Sequence, residues 1–341
     1  MGRTIPELST KAIANSLGLD SIEIIERELI LNASKRIERI KYKNDKYGKD
    51  KEIFIKYAPG QVLIAEIFFY DKLAEYVKDQ VPKMINAVTK DDMKILVIEW
   101  IDGNNPDLHD QTIVEKVFYD LGKWTTCWEK LVKSYTNEME ELPAQSFFNE
   151  MMNNLLMESE IKKNLDEFSI VKKRDHVLEV GNEKMVEFIN TFNDEIKKQI
   201  IAKLYSVPLT LHPGDVSKYN TLIRNENGQT VFIDFENMKI GPMSLLMEYI
   251  GEQDIHVPNY ELNEIALRSY LQGWNDHSKQ IISWKQFYQS YLAARILYKC
   301  YLLNWYFKRK ASNSKKTPNK EWAMVHAKDL LQITDEFKAS I

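Results

Sequence analysis

Residues 211–236 read LHPGDVSKYNTLIRNENGQTVFIDFE. The stretch divides into a polar loop, a short apolar run, a turn and a second apolar run. Thr221-Leu222-Ile223 and Thr230 to Phe235 read as strands, and Asn225-Glu226-Asn227-Gly228 between them contains the Asn-Gly pair that favours a tight hairpin. Asp215 and Asn220 stand five residues apart in and after the loop, and Asp234 stands at the far end of the hairpin. A hairpin is a rigid unit, so it holds its two ends together. Asn220 and Asp234 are thereby presented as hard oxygen donors, the kind Mg²⁺ takes while keeping several waters.

The bulk properties narrow what such a loop can serve. The 341 residues are 44% hydrophobic and 28% charged, the composition of a folded chain with a large core and room for two subdomains. A net charge of −4 gives no basic surface for nucleic acid. Cys127 and Cys300 can form no disulfide framework and lack metal-ligand spacing, which fits a reducing compartment. The N-terminus has no basic-then-apolar signal pattern, and Pro6 spoils the Ser/Thr position of a myristoylation motif. No apolar run is long enough to span a bilayer. A cytoplasmic protein with no membrane or nucleic-acid partner is expected.

Residues 5–30 carry helical spacing through Ile13, Leu17, Ile22, Ile25 and Leu29. Residues 29–42 and EIFIKYA (52–58) alternate as a hairpin with the charged tip NDKYGKD. After Pro59-Gly60 a helix pattern starts at Val62 (VLIAEIFFYDKLAEYV), followed by strands at 83–88 and 94–101. Asp102-Gly103-Asn104-Asn105-Pro106 is a turn cluster that divides the chain into 1–101 and 102–341. The second part reads as helices near 111–135, 145–165, 180–205, 260–274, 283–310 and 320–340, with the lysine-rich 308–320 as an exposed loop. The class is α+β: a small antiparallel sheet carrying one helix, then a mainly helical lobe interrupted by the 211–236 stretch.

Moving a γ-phosphoryl group needs positioned metal ions and a carboxylate to accept the proton of the incoming hydroxyl. Asp215, placed ahead of the metal donors, suits the second task; Asn220 and Asp234 suit the first. At "GDVSKYNTLI" and "VFIDFE" the chain resembles the small-molecule kinases of the aminoglycoside phosphotransferase and choline kinase superfamily, which share the two-lobed protein-kinase-like fold. The resemblance implies Asp215 as base, Asn220 and Asp234 as Mg²⁺ ligands, and Asp234-Phe235-Glu236 in place of Asp-Phe-Gly. It further implies Lys56 as the grip on the α- and β-phosphates, Glu66 as its ion-pair partner, and the backbone of Glu99 to Ile101 as the contact to adenine, with Ile98 beside it. The 1–101 lobe would bind nucleotide, and the 102–341 lobe would carry the catalytic loop and acceptor site.

The chain also departs from that pattern. His212-Pro213-Gly214-Asp215 replaces His-Gly-Asp, which makes His212 a core residue with altered packing. Leu246 stands where a bracing Asp is expected, with Glu248 as a substitute. The phosphate-covering loop, LNASKR, has no glycine, so Ser34 and backbone amides would cap phosphate. Lys218 either reaches the γ-phosphate or is a solvated loop lysine. For the acceptor, Glu248, Glu252 and Asp254 would suit a polycation, while Trp284, Tyr288, Tyr291, Tyr298, Tyr301 and Trp305 form either a cage for quaternary ammonium or ordinary core. The reading is therefore an ATP- or GTP-using, Mg²⁺-dependent phosphotransferase, monomeric or homodimeric. Its acceptor would be a hydroxyl on an aminoglycoside-like antibiotic, amino alcohol or sugar-type metabolite, the first implying antibiotic resistance. The alternative is a catalytically silent nucleotide- or partner-binding module. A protein kinase is disfavoured, because Gly241-Pro242 follows Asp234 too soon for an activation loop.

Overall fold

Strict alternation in residues 36–58 fixes two faces of a sheet. Ile40, Tyr42, Ile53, Ile55 and Tyr57 point one way, and Phe54 and Lys56 point the other. In the computed structural model, which describes residues 5–44, 48–90, 92–142, 145–146, 149, 194–214, 216–245, 260–311 and 320–341, both faces are covered. The sheet has the order β1-β2-β3-β5-β4, all antiparallel. Its strands are β1 (Glu23–Asn32), β2 (Arg36–Lys43), β3 (Lys51–Pro59), β4 (Met84–Lys90) and β5 (Met93–Glu99). The short helix α1 (Thr10–Ser16), capped by Ser9, closes the outer face with Ile5, Ile13 and Leu17. The inner face, through Phe54, Leu96 and Ile98, joins the main core.

Two expectations for this region fail. Residues 23–32 are strand, not helix, and the expected strand 29–42 is broken by a loop at 33–35. Apolar spacing suits a helix there, but β1 gains a full ladder with β2 and sets Glu26 opposite Lys41 and Glu28 opposite Arg39. The helix expected from Val62 is also not continuous. A five-residue α2 (Ile64–Phe68) runs into a π-turn (Phe69–Leu73) and a 3-10 segment (Ala74–Gln80). The wider turn keeps bulky Phe69, Tyr70 and Leu73 all on the core side.

Beyond Glu99 the chain is mainly helical: α3 (Gln111–Thr126), α4 (Val132–Glu140), α5 (Asp194–Leu204), α6 (Tyr260–His277), α7 (Trp284–Ala311) and α8 (Lys320–Ser340). Asp110 caps α3 by accepting from the Thr112 amide at 2.8 Å. The expected helix 111–135 is thus two, and the expected helix at 145–165, most of that at 180–205 and most of the lysine-rich loop fall outside the described residues. Among the described residues no helix is long and apolar enough to cross a membrane.

Two small sheets lie within the helical region and frame the 211–236 stretch. β7 (Leu209–His212) pairs with β10 (Lys239–Pro242), and β8 (Thr221–Arg224) is flanked by β9 (Thr230–Phe232) and β6 (Gly103–Asn104). The turn cluster at 102–106 is therefore sewn to the hairpin. Asn225 donates its amide to the Asp102 carbonyl at 3.0 Å and its side-chain NH₂ to Asp102 Oδ1 at 2.9 Å. A Cβ on Gly103 would meet the Ile223 carbonyl oxygen at 2.6 Å, so only glycine permits this approach.

Candidate active site

The hairpin brings its ends together as its sequence suggests. Thr221 faces Phe232 and Ile223 faces Thr230, and beyond the ladder the Ile233 amide donates to the Asn220 carbonyl at 2.9 Å. Asn220 thus lies beside the residue preceding Asp234. Asp234 has φ +67, a left-handed conformation uncommon outside glycine and often found at functional sites. It is held there by Phe235, which is fully buried and stacked 3.8 Å from Phe69 and 6.2 Å from Trp124. On the other side of the loop, Gly214 has φ +102, and a Cβ there would strike the Asn237 backbone at 2.5 Å. Asp215 lies outside the described residues; Gly214 and Val216 on either side of it are buried.

Opposite the hairpin, β3 presents Lys56 on the inner face. Its ammonium donates to Glu66 Oε1 at 2.7 Å and reaches Asp234 Oδ1 at 3.3 Å. The expected Lys56–Glu66 pair is formed, with side chains 2% and 0% exposed. Burial raises the Glu66 carboxyl, and Lys56 only partly opposes it. Glu66 Oε2 and the Tyr70 hydroxyl have no hydrogen-bond partner among the described residues and sit in the same buried region behind the pair.

A second lysine, not singled out by sequence reasoning, completes the cluster. Lys35, from the β1–β2 loop, donates to Asp234 Oδ1 at 2.9 Å, Asp234 Oδ2 at 3.1 Å and Glu236 Oε2 at 2.8 Å. Burial alone would lower its ammonium, but Asp234, Glu66 and Glu236 together raise it. Burial would likewise raise the Asp234 carboxyl, but Lys56 and then Lys35 outweigh it and hold the group below the usual carboxylate range. Ser34, the expected phosphate contact, is at the exposed tip of the same loop.

Other expected residues are placed less directly. The Glu99 amide donates to the Lys83 carbonyl at 2.8 Å, and its carboxylate accepts from Arg224 at 3.3 Å, so its N–H is already engaged. Trp100 and the buried Ile101 lead the chain out of the sheet just beyond it. Phe54 pairs with Ile98 in the β3–β5 register and lies 6.0 Å from the Trp100 ring, with Arg39 stacked 4.5 Å over Trp100. Phe54 sits two residues before Lys56, and strand alternation alone could have put it on the same face. Lys218 lies over the exposed Tyr219 ring at 5.3 Å and is not part of the Asp234 cluster. His212 is buried, shares a hydrogen bond with the Gly241 carbonyl at 3.2 Å, and is pushed down to about 3 by burial and Lys239. It is a neutral core residue.

The donors suit a hard cation. Asp234 and Glu236 offer carboxylate oxygens, the Asn220 backbone is bonded to the residue before Asp234, and two ammonium groups already stand on Asp234 as stand-ins for positive charge. Among the described residues no group of three or more His, Cys, Asp or Glu converges.

The first three aromatics of the α7 run are already covered. Trp284, Tyr288 and Tyr291 stack on one another, Arg268 covers Trp284 at 4.0 Å, and Arg295 lies 5.6 Å from Tyr291. The chain's own cations take those faces. Leu246, Glu248, Glu252 and Asp254 lie outside the described residues, as does the side chain of Trp305.

No family profile and no curated protein matches the sequence. Solved structures do match in fold. An aminoglycoside phosphotransferase from Alicyclobacillus acidocaldarius aligns over 99% of this chain and 96% of its own, at 14% identity and TM-score 0.59. A choline kinase from Cryptosporidium parvum aligns over 93% and 90%, at 15% identity and TM-score 0.53. An ethanolamine kinase from Plasmodium vivax aligns over 94% and 85%, at 14% identity and TM-score 0.50. The chain has the two-lobed fold that the hairpin motif implied.

Proposed function

We propose that the protein is an ATP- and Mg²⁺-dependent phosphotransferase acting on a hydroxyl of a small molecule, with residues 1–101 as nucleotide lobe and 102–341 as acceptor lobe. One observation carries the reading: Asp234, at the end of a hairpin that also holds Asn220, meets the buried Lys56–Glu66 pair at 3.3 Å. A general ion-pair network would not need a left-handed aspartate at a hairpin end. The full-length likeness to proteins described as aminoglycoside phosphotransferase, choline kinase and ethanolamine kinase supports the acceptor class.

In this reading Phe54, Ile98 and Trp100 enclose the base, and backbone groups of Trp100 and Ile101 meet its edge. Lys56, oriented by Glu66, holds the α- and β-phosphates. Asn220 and Asp234 would hold Mg²⁺, which when bound offsets charge on the phosphates. The acceptor oxygen attacks the γ-phosphorus, the bond from that phosphorus to the β-phosphate oxygen breaks, and Asp215 takes the hydroxyl proton. ADP leaves with the electron pair of the broken bond.

The test is ADP release across aminoglycosides, choline, ethanolamine and sugars, with ATP and then GTP as donor. Turnover with one acceptor, lost in Asp215→Ala while nucleotide binding persists, is expected. Undiminished turnover in that variant would remove the base assignment. Nucleotide binding without release for any acceptor would leave the silent-module reading.

A further inference from the structure

The Lys35 ammonium has three donors, and each finds a carboxylate oxygen: both oxygens of Asp234 and one of Glu236, at 2.8 to 3.1 Å. It straddles the two acids where an ion shared by them would sit. Resting on the phosphotransferase reading, we infer that Lys35 is a resident counter-ion of the metal position, one that makes divalent-cation entry depend on nucleotide phosphate.

The two lysines of the cluster differ in what they can give up. Lys56 has Glu66 as a fully buried partner and keeps it whatever happens at Asp234. Both acidic partners of Lys35 belong to the metal position itself. A divalent ion held by Asp234 and Glu236 would compete with the Lys35 ammonium for the carboxylate lone pairs it now uses. Lys35 must therefore leave when the ion arrives, and its side chain is only 5% exposed, so it cannot simply remain charged in place beside a second cation.

The loop that carries Lys35 limits where it goes. The Ala33 amide donates to the Lys35 carbonyl at 3.0 Å, closing a tight turn without glycine. Below the turn, Asn32 exchanges hydrogen bonds with Ile5 at 3.1 and 3.4 Å, and Arg36 donates to the Ile5 carbonyl at 3.2 Å. With the stem fixed, the move belongs to the lysine side chain. The new anion that nucleotide brings under this loop is phosphate, and the ammonium exchanges carboxylate for it. A bare metal ion offers no such exchange and must displace the ammonium without compensation. Metal and nucleotide are thereby coupled through one side chain.

The experiment titrates Mn²⁺ into the full chain and reads free Mn²⁺ by electron paramagnetic resonance, with and without ATP, each arm corrected by the same titration without protein because ATP itself binds Mn²⁺. Wild type should bind Mn²⁺ weakly alone and roughly tenfold or more tightly with ATP. Lys35→Met should bind Mn²⁺ alone roughly tenfold more tightly than wild type and lose most of the ATP effect. Lys35→Arg, which keeps the charge, should retain the wild-type dependence. Equal Mn²⁺ affinity of wild type and Lys35→Met without ATP would overturn the inference while leaving the phosphotransferase reading intact. Should Lys35→Met fail to fold, wild type decides the matter, since Mn²⁺ binding equally tight with and without ATP also overturns it. No Mn²⁺ binding by wild type even with ATP would overturn the phosphotransferase reading, and this inference with it.

Discussion

Lys56 and Glu66 together put two opposite charges where water does not reach, and such a pair stabilises little by itself while its disruption costs much. Lys56→Met should therefore lower stability by about 3–5 kcal/mol, because Glu66 is left buried and unpaired. Adding Glu66→Leu should return most of that loss without restoring nucleotide affinity. Urea unfolding and calorimetric titration with ATP separate the two effects. A single Lys56→Met variant that unfolds like wild type would show the pair is not what holds this region. Asp234→Ala should abolish Mg²⁺-dependent ATP binding in the same titration, and unchanged affinity would contradict its proposed ligand role. Asp234 was legible from the hairpin spacing, while Lys56 and Glu66 were reached only through the family resemblance. Lys35 was reached by neither, since its partners stand 199 and 201 residues away and nothing local in LNASKR says which side chain turns inward.

The β1–β2 loop is kept in place by a segment that a sequence pattern scarcely registers, Ile5 to Leu8. Asn32 and Arg36 at the loop stem bond Ile5, and Arg27 donates to the Leu8 carbonyl at 2.8 Å. Beneath them the fully buried Glu38 accepts from Arg27, from Arg36 at 2.6 Å and from Tyr57 at 3.2 Å. Each lost hydrogen bond is worth about 1 kcal/mol, so deleting residues 1–8 should free the loop without unfolding the sheet. Amide exchange is expected to rise at 32–36 while 95–98 in β5 stays protected, and ATP affinity should fall several-fold. Uniform protection across both segments would mean the loop needs no brace. The same physics explains which elements could be read. β3, β5 and the 221–232 hairpin bury one or both faces and so alternate or run apolar. β1 is an edge strand, largely exposed, so its residues carry no strand alternation and its helical spacing misled. β6 has two residues and exists only through pairing with β8, for which no local signal is available.

The hairpin side of the site is braced by α3, which touches Phe235, β9 and β7. Trp124 stacks near Phe235, Asp120 accepts from Thr230 on β9, and the Thr125 carbonyl accepts from Thr210 on β7 at 2.7 Å. On its other side α3 meets α6 through two glycines. A Cβ on Gly122 would lie 2.1 Å from the Tyr270 carbonyl oxygen, and one on Gly273 would lie 2.1 Å from that of Tyr119. Backbone atoms on both helices bound this contact, so no flexible side chain can swing away. Gly122→Ala must push α6 outward, and with it Tyr270, whose hydroxyl reaches the Met243 carbonyl and Thr125, each at 3.1 Å. A loss of about 3 kcal/mol or more is expected, outside the range of ordinary surface substitutions. In a chain of this size that shifts the unfolding midpoint by roughly 4 °C or more. Gly60→Ala is the control, with φ +68 but open space around its Cβ, and it should cost only the strain of the left-handed conformation, about 1 kcal/mol. Scanning calorimetry on the two variants, followed by ATP titration, tests the assignment. If Gly122→Ala melts within a degree or two of Gly60→Ala and binds ATP as wild type does, close helix approach is not what fixes the site. If it melts lower and ATP affinity falls with it, the proposed site depends on a helix contact that touches none of its residues.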